Sequence, residues 1–188
     1  MKIVRIFVSE KSYEGLWSIQ FDGESKNEFQ KFFNLMDDIE WLHNFFVNNK
    51  ADLYSGYFGQ VTIDSAGVRT MDEAEEMEDT LNDYLKMGFA GSDNLQHFFK
   101  PLNNFEYVIT VHQKSKARIR NGWLRLYAIR LAENCFLVTG GAIKLTADMK
   151  RTHLRRELTK LEQAKAFLRE NRIEYPEDLN TYLHGCHI

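Results

Sequence analysis

The chain has 188 residues, 44% of them hydrophobic and 13% aromatic, with two prolines; that is enough apolar mass for a packed core and excludes global disorder. A net charge of -3 conceals a division: residues 1–94 carry 8 basic and 18 acidic side chains, residues 95–188 carry 16 and 9. An acidic half joined to a basic one points to a cationic working surface with an acidic cover or partner, the competing reading being two solvated faces that differ by chance.

Taken in chain order, residues 2–8 (KIVRIFV) read as a strand, with Leu16 to Phe21 as its pairing partner and Gly23 ending the pair. The stretch is too short for a signal peptide, and no apolar run reaches transmembrane length. From Asn27 to Asn49, the residues Phe29, Phe32, Phe33, Met36, Ile39, Leu42, Phe45 and Phe46 recur at helical spacing, with Asp37-Asp38 as a break between two helices. A short strand is expected at Gln60–Ile63, then a helix over Met71–Met87 whose acidic run, Asp72 to Asp79, faces solvent or the basic half. Gly88 and Gly91 close it, and Asp93–Phe99 adds a helical turn. Strands follow at Glu106–His112, Trp123–Leu131 and Cys135–Leu145, the last two joined by a two-residue turn at Glu133-Asn134. Met149–Glu170 reads as a basic amphipathic helix, Tyr175-Pro176 breaks it, and Glu177–Leu183 is a last short helix. The fold class is therefore α+β: a small antiparallel sheet packed by helices. It divides into a helix-rich acidic region, 1–93, either separate or continuous with the rest, and a sheet with a basic helix, 94–188.

A two-residue turn makes Ala132 face Cys135, Arg125 face Ala142 and Trp123 face Lys144, and paired residues point to one side of a sheet. One face then carries Trp123, Arg125, Tyr127, Val138, Ala142 and Lys144. The other carries Leu124, Leu126, Ala128, Leu137 and Ile143 and packs on helices. A bulge at Gly140-Gly141 would shift this register.

Cations beside aromatics suit a phosphate backbone and stacked bases. Arg118 and Arg120 lie upstream of the hairpin; Lys150, Arg151, His153, Arg155 and Arg156 lie downstream. Each has a plain structural reading too: Arg125 pairing with an acidic helix, Lys144 as a strand-end lysine, Arg155 and Arg156 as the wet face of a helix. Other chemistries have less behind them. There is no glycine-rich phosphate loop and no HExxH. Cys135 lies in an apolar run, and Cys135 and Cys186 make neither a metal motif nor a disulfide framework. His184, Cys186 and His187 form a short terminal tract, and Asp37, Asp38 and Glu40 a solvated carboxylate group. No metal and no cofactor is expected, and a reducing, cytoplasmic setting fits.

The series Phe99-Lys100-Pro101-Leu102, a strand, Leu124-Arg125-Leu126-Tyr127-Ala128-Ile129, then Cys135 to Gly140 and Lys144 resembles the RelE/HigB-like toxin superfamily, including its phage-derived branch. The resemblance covers about 75 residues. It implies a compact α+β fold acting on RNA, as a metal-independent messenger RNA endoribonuclease, with RNA or the ribosome as target and an antitoxin protein as partner. By position, Arg125 and Lys144 match the cations that serve catalysis. Arg118, Arg120, Trp123, Tyr127, Lys150 and Arg151 are the RNA-binding candidates, and no membrane is implied. The chain departs from the family in its acidic N-terminal length and its negative net charge. The alternative is a non-catalytic protein-interaction module of similar fold.

Overall fold

The computed structural model describes residues 1–88, 93–103 and 110–185. Its strands are β1 (Lys2–Val8), β2 (Gly15–Gln20), β3 (Lys100–Pro101), β4 (Gln113–Ala117), β5 (Leu124–Ala132) and β6 (Cys135–Ile143). The helices are α1 (Glu28–Met36), α2 (Ile39–Asn48), α3 (Lys50–Leu53), α4 (Ile63–Gly88), α5 (Leu95–Phe98), α6 (Thr152–Glu170) and α7 (Pro176–Gly185). The six strands form one sheet in the order β1-β2-β6-β5-β4-β3, antiparallel throughout except for the parallel pair β2–β6. The acidic and basic halves therefore share a sheet, with β2 of the first half lying against β6 of the second.

Local chemistry explains the helix boundaries. Asn27 and Gln30 form a reciprocal capping box at the start of α1, and the Asp38 side chain accepts the Trp41 N–H at 2.9 Å to start α2. The Asp37-Asp38 break is thus a helix exit followed by a cap. The expected strand at Gln60–Ile63 does not form: Thr62 Oγ1 takes the Ser65 N–H instead, and α4 begins at Ile63 and runs 26 residues. The helix boundary expected at Gly91 lies outside the described residues, as do Cys186 and His187. The strand expected at Glu106–His112 is partly outside them. Its described end, residues 110–112, is loop and turn, and His112 adopts a positive φ of 55°. The strand that does pair with β5 begins one residue later, at Gln113.

The sheet is the middle of three layers. On one side Phe32, Met36, Leu42, Phe46, Met77, Leu81 and Phe98, from α1, α2, α4 and α5, meet Leu16, Leu124, Leu126, Phe136 and Val138. On the other, Leu154, Leu161, Ala164 and Leu168 of α6 and Leu179 of α7 meet Ile3, Trp17, Ile19, Tyr127, Ile129 and Leu137. The β5–β6 hairpin turns at Glu133-Asn134 with Ala132 opposite Cys135, and Arg125 opposite Ala142, as counted. Between these, the register slips: Leu131 is an extra residue on β5, and Thr139 an extra residue on β6 that restores the count. The slip reverses two expected positions: Val138 joins the α1–α4 side and Leu137 the α6 side.

The acidic run of α4 is mostly exposed at Asp72, Glu75, Glu76, Glu78 and Asp79. Glu73 is the exception. It is buried and accepts the backbone N–H groups of Trp123 at 3.0 Å and Leu124 at 2.6 Å. No described helix is long and apolar enough to cross a membrane.

Candidate anion-binding cavity

β4 carries a cation at every second residue. Lys114 and Lys116 belong to the strand, and Arg118 and Arg120 continue the spacing beyond it. Period two places them on one side of a strand. Lys116 stands opposite Tyr127, whose ring is in the α6-side core, and Lys114 forms an ion pair with Glu162 of α6. On the neighbouring strands, Arg125 is opposite Ala142, and the Lys144 N–H bonds to the Trp123 carbonyl at 2.8 Å, continuing the ladder past β6. These side chains line a cavity of about 790 Å³. Its cationic wall is Lys100, Lys116, Arg118, Arg120, Arg125 and Lys144. Tyr127, Met149 and Leu158 line another part, and α4 and α5 contribute Glu76, Thr80, Tyr84, His97 and Phe98.

Backbone carbonyls hold the inner cations. Arg125 is only 7% exposed and donates from Nη1 to the carbonyls of Gly122 at 2.9 Å and Leu124 at 2.6 Å. Lys144 Nζ donates to Thr146 and Ala147 at 2.6 and 2.7 Å, and Lys116 Nζ to Leu102 at 2.8 Å. Burial, followed by the charges of Arg125 and Lys116, lowers the Lys144 pKa below the ordinary lysine value. Burial, then Arg125 and Arg118, does the same to Lys116, and burial, then Arg118, lowers Arg125. Desolvated cations that repel one another are stabilised by an anion placed among them. The nearest carboxylate influence on Arg125 is Glu73, but both Glu73 oxygens are engaged by amides, so this is proximity rather than an ion pair.

The structure thus brings together Arg125, Lys144, Arg118, Arg120 and Tyr127 of the sequence-derived candidates. Arg125 is less open than a strand-end cation was expected to be, and burial raises the Tyr127 phenol pKa and keeps it neutral. Three candidates fall away from the cavity. Trp123 is fully buried in the core beneath α2 and α4, against Phe46 and Phe58, with its indole N–H donated to Thr70 Oγ1 at 3.0 Å and Arg69 over its ring. It cannot stack on a base. The register count placed it beside Arg125, but Trp123 precedes the first strand residue, where the chain is held by Glu73 and the side chain turns toward α2 and α4. Arg151 makes a two-point ion pair with Asp52 through its Nε and Nη2, and exposed Lys150 lies beside Asp148. His153 is likewise structural, bonding through Nε2 to the Ile143 carbonyl at 2.9 Å.

Sequence reasoning passed over Lys116 and Lys100, together with Tyr84 and His97. The alternation of Lys114, Lys116, Arg118 and Arg120 was a readable signal. Tyr84 and His97 carried none, because they reach the cavity only through the packing of α4 and α5 across the sheet. No cluster of three or more metal-ligating side chains occurs among the described residues. The fold and cavity define a three-layer α+β protein with a cationic, partly enclosed cleft. Comparison with protein-family models, with curated proteins and with solved structures finds no match.

Proposed function

We propose that this protein acts on RNA, as a toxin-type protein of the kind its C-terminal half resembles, with phosphate held in the cationic cavity. The observation that carries the reading is the convergence of Arg118, Arg125 and Lys144, from three separate segments, on one cavity beside Tyr127, with none of the three in an ion pair among the described residues. Cleavage of RNA by its own 2'-hydroxyl needs an oriented phosphate and stabilisation of the charge that builds on it. Grouped cations in a partly enclosed cleft supply both. Arg125, pinned by two carbonyls, is the positioning element, and Lys144 and Arg118 neutralise charge. The Tyr127 phenol, kept protonated, donates to the Met149 sulfur at 3.6 Å and so braces that wall.

The test is expression of wild type and Lys144→Ala in a bacterial host, following growth and messenger decay. Growth arrest with messenger loss in the wild type, relieved by the substitution, is the expected result. Unimpaired growth with intact messages for the wild type would overturn the endoribonuclease reading and leave the protein-interaction module in its place.

A further inference from the structure

Resting on the RNA reading, we infer that Tyr84 and His97 form a base-stacking wall at the mouth of the cavity, so that the ligand is single-stranded RNA gripped by one base as well as by its phosphates. The two residues lie in α4 and α5, outside the strands that supply the inner cations, yet both line the same cavity. Their rings are 29° from parallel with centroids 6.4 Å apart, and Phe98 lies on Tyr84 at 6.0 Å and 30°. Phe98 is buried, Tyr84 half-buried and His97 exposed, so the three rings step from the core to the cavity mouth.

His97 Nδ1 accepts the Asn94 N–H at 3.3 Å within a capping box, and Asp93 lies 3.5 Å from the same nitrogen. These contacts hold the ring by one edge. Tyr84 is held by Phe98 behind it. Lys100, whose Nζ donates to the Gln96 carbonyl at 3.3 Å, brings a cation to this aromatic surface, and the other wall cations line the same cavity; aromatic rings with cations bind unpaired nucleotides, stacking the base while phosphates take the charge. A duplex offers no unstacked base to such a wall. A cavity of about 790 Å³ is of the size that encloses a small organic ligand, which fits one or two nucleotides and not a helix.

The experiment measures binding of a fluorescent 2'-O-methyl RNA hexamer, which lacks the attacking hydroxyl, to the full chain, with pyrophosphate as a second ligand. Tyr84→Leu and His97→Ala are each expected to weaken the hexamer about tenfold, to leave pyrophosphate affinity unchanged, and to leave affinity for a blunt RNA duplex unchanged and low. Tyr84→Phe, which keeps the ring, is expected to bind as wild type does. His97 is exposed, so its substitution reports even where Tyr84→Leu disturbs packing on Phe98. Full hexamer affinity in His97→Ala and Tyr84→Leu, with loss in Lys144→Ala, would overturn the stacking wall and leave the RNA reading standing. Pyrophosphate binding without any hexamer binding by the wild type would overturn both.

Discussion

The carboxylate of Glu73 accepts the backbone N–H of Leu124 at 2.6 Å, joining the acidic helix to the residue directly before Arg125. With the second bond, to the Trp123 N–H, it does for the start of β5 what another strand does along its length. Gly122 is part of the same joint, since a Cβ there would lie 2.0 Å from a Glu73 oxygen. The acidic helix is therefore a structural member of the site and supports the strand from which Arg125 projects.

Replacing Glu73 with Ala strands two buried amides. Each is expected to cost about 1–3 kcal/mol, visible as a lower urea midpoint, and Gly122→Ala should destabilise through the same contact. A wild-type midpoint for Glu73→Ala would mean that the amides find other acceptors. Because Arg125 is anchored on the carbonyls of Gly122 and Leu124, anion binding should weaken in parallel with stability.

The two inner cations should separate under substitution. Arg125→Ala removes the donor to two carbonyls at a buried position and should cost about 1–3 kcal/mol of stability besides abolishing anion binding. Lys144, whose carbonyl partners lie in the half-exposed and exposed segment Thr146 and Ala147, should cost within about 1 kcal/mol when changed to Ala. Thermal melts of both variants beside an RNA-binding titration check this. Lys144→Ala that binds RNA with wild-type affinity would remove it from the site.

Gly140 adopts a φ of 154°, and a Cβ on it would lie 1.9 Å from Glu157 Oε2 and 3.2 Å from Lys160 Nζ. Gly140→Ala should destabilise by about 1–3 kcal/mol through backbone strain and overlap. In a Glu157→Ala background the overlap with the carboxylate is gone, leaving the strain and the approach to the flexible end of Lys160. The double-substitution cycle should then show a coupling above about 0.5 kcal/mol, and additive costs would show that the Glu157 contact is not what constrains position 140.

Acid should weaken the fold through two histidines. His112 bonds through Nε2 to the Ile173 carbonyl at 2.6 Å, and burial, assisted by Lys165 and Arg169, lowers its pKa. Burial lowers that of His153 as well. Below the unfolded value of about 6.5 the unfolded chain binds more protons than the native one. Their contribution is therefore full above that pH and is lost as pH falls toward the lowered native values. Burial raises the Glu73 and Glu157 pKa values, which acts in the opposite sense as pH falls toward about 4.5. The telling quantity is thus the difference between chains. Wild type should lose more stability from pH 7.5 to 5.5 than His112→Asn/His153→Asn, and equal losses would contradict the assignment.

Much of this arrangement was legible in the chain, because strong local signals set it. The two-residue turn at Glu133-Asn134 set Ala132 opposite Cys135, the opposition of Arg125 and Ala142 held because the slips at Leu131 and Thr139 cancel, and the Asp37-Asp38 pair marked a helix exit and cap. What failed were positions decided at a distance. The slip between Leu131 and Thr139 reverses Leu137 and Val138, a change that alternation alone does not encode. Trp123 has the composition of a stacking residue, yet Thr70, Phe46 and Phe58 draw it into the core. Arg151 and Asp52, 99 positions apart, meet only once α3 lies against the start of α6. Five cations of the wall could be counted from the β4 run and the hairpin, whereas the aromatic side depends on where α4 and α5 come to rest.

The parallel contact between β2 and β6 governs how the chain can assemble. Ser18 and Val138 lie side by side although 120 positions separate them, so the β1–β2 hairpin waits for a central strand made much later. Until β6 docks, the inner edge of β2 offers unpaired amides and carbonyls to any extended chain nearby, which is the geometry that promotes aggregation. Closing a loop of that length before its contacts repay the lost entropy favours slow folding. A protein interrupted before residue 135 would hold β1–β2 and β3–β4–β5 as two pieces of sheet with no strand to join them under the helical layer.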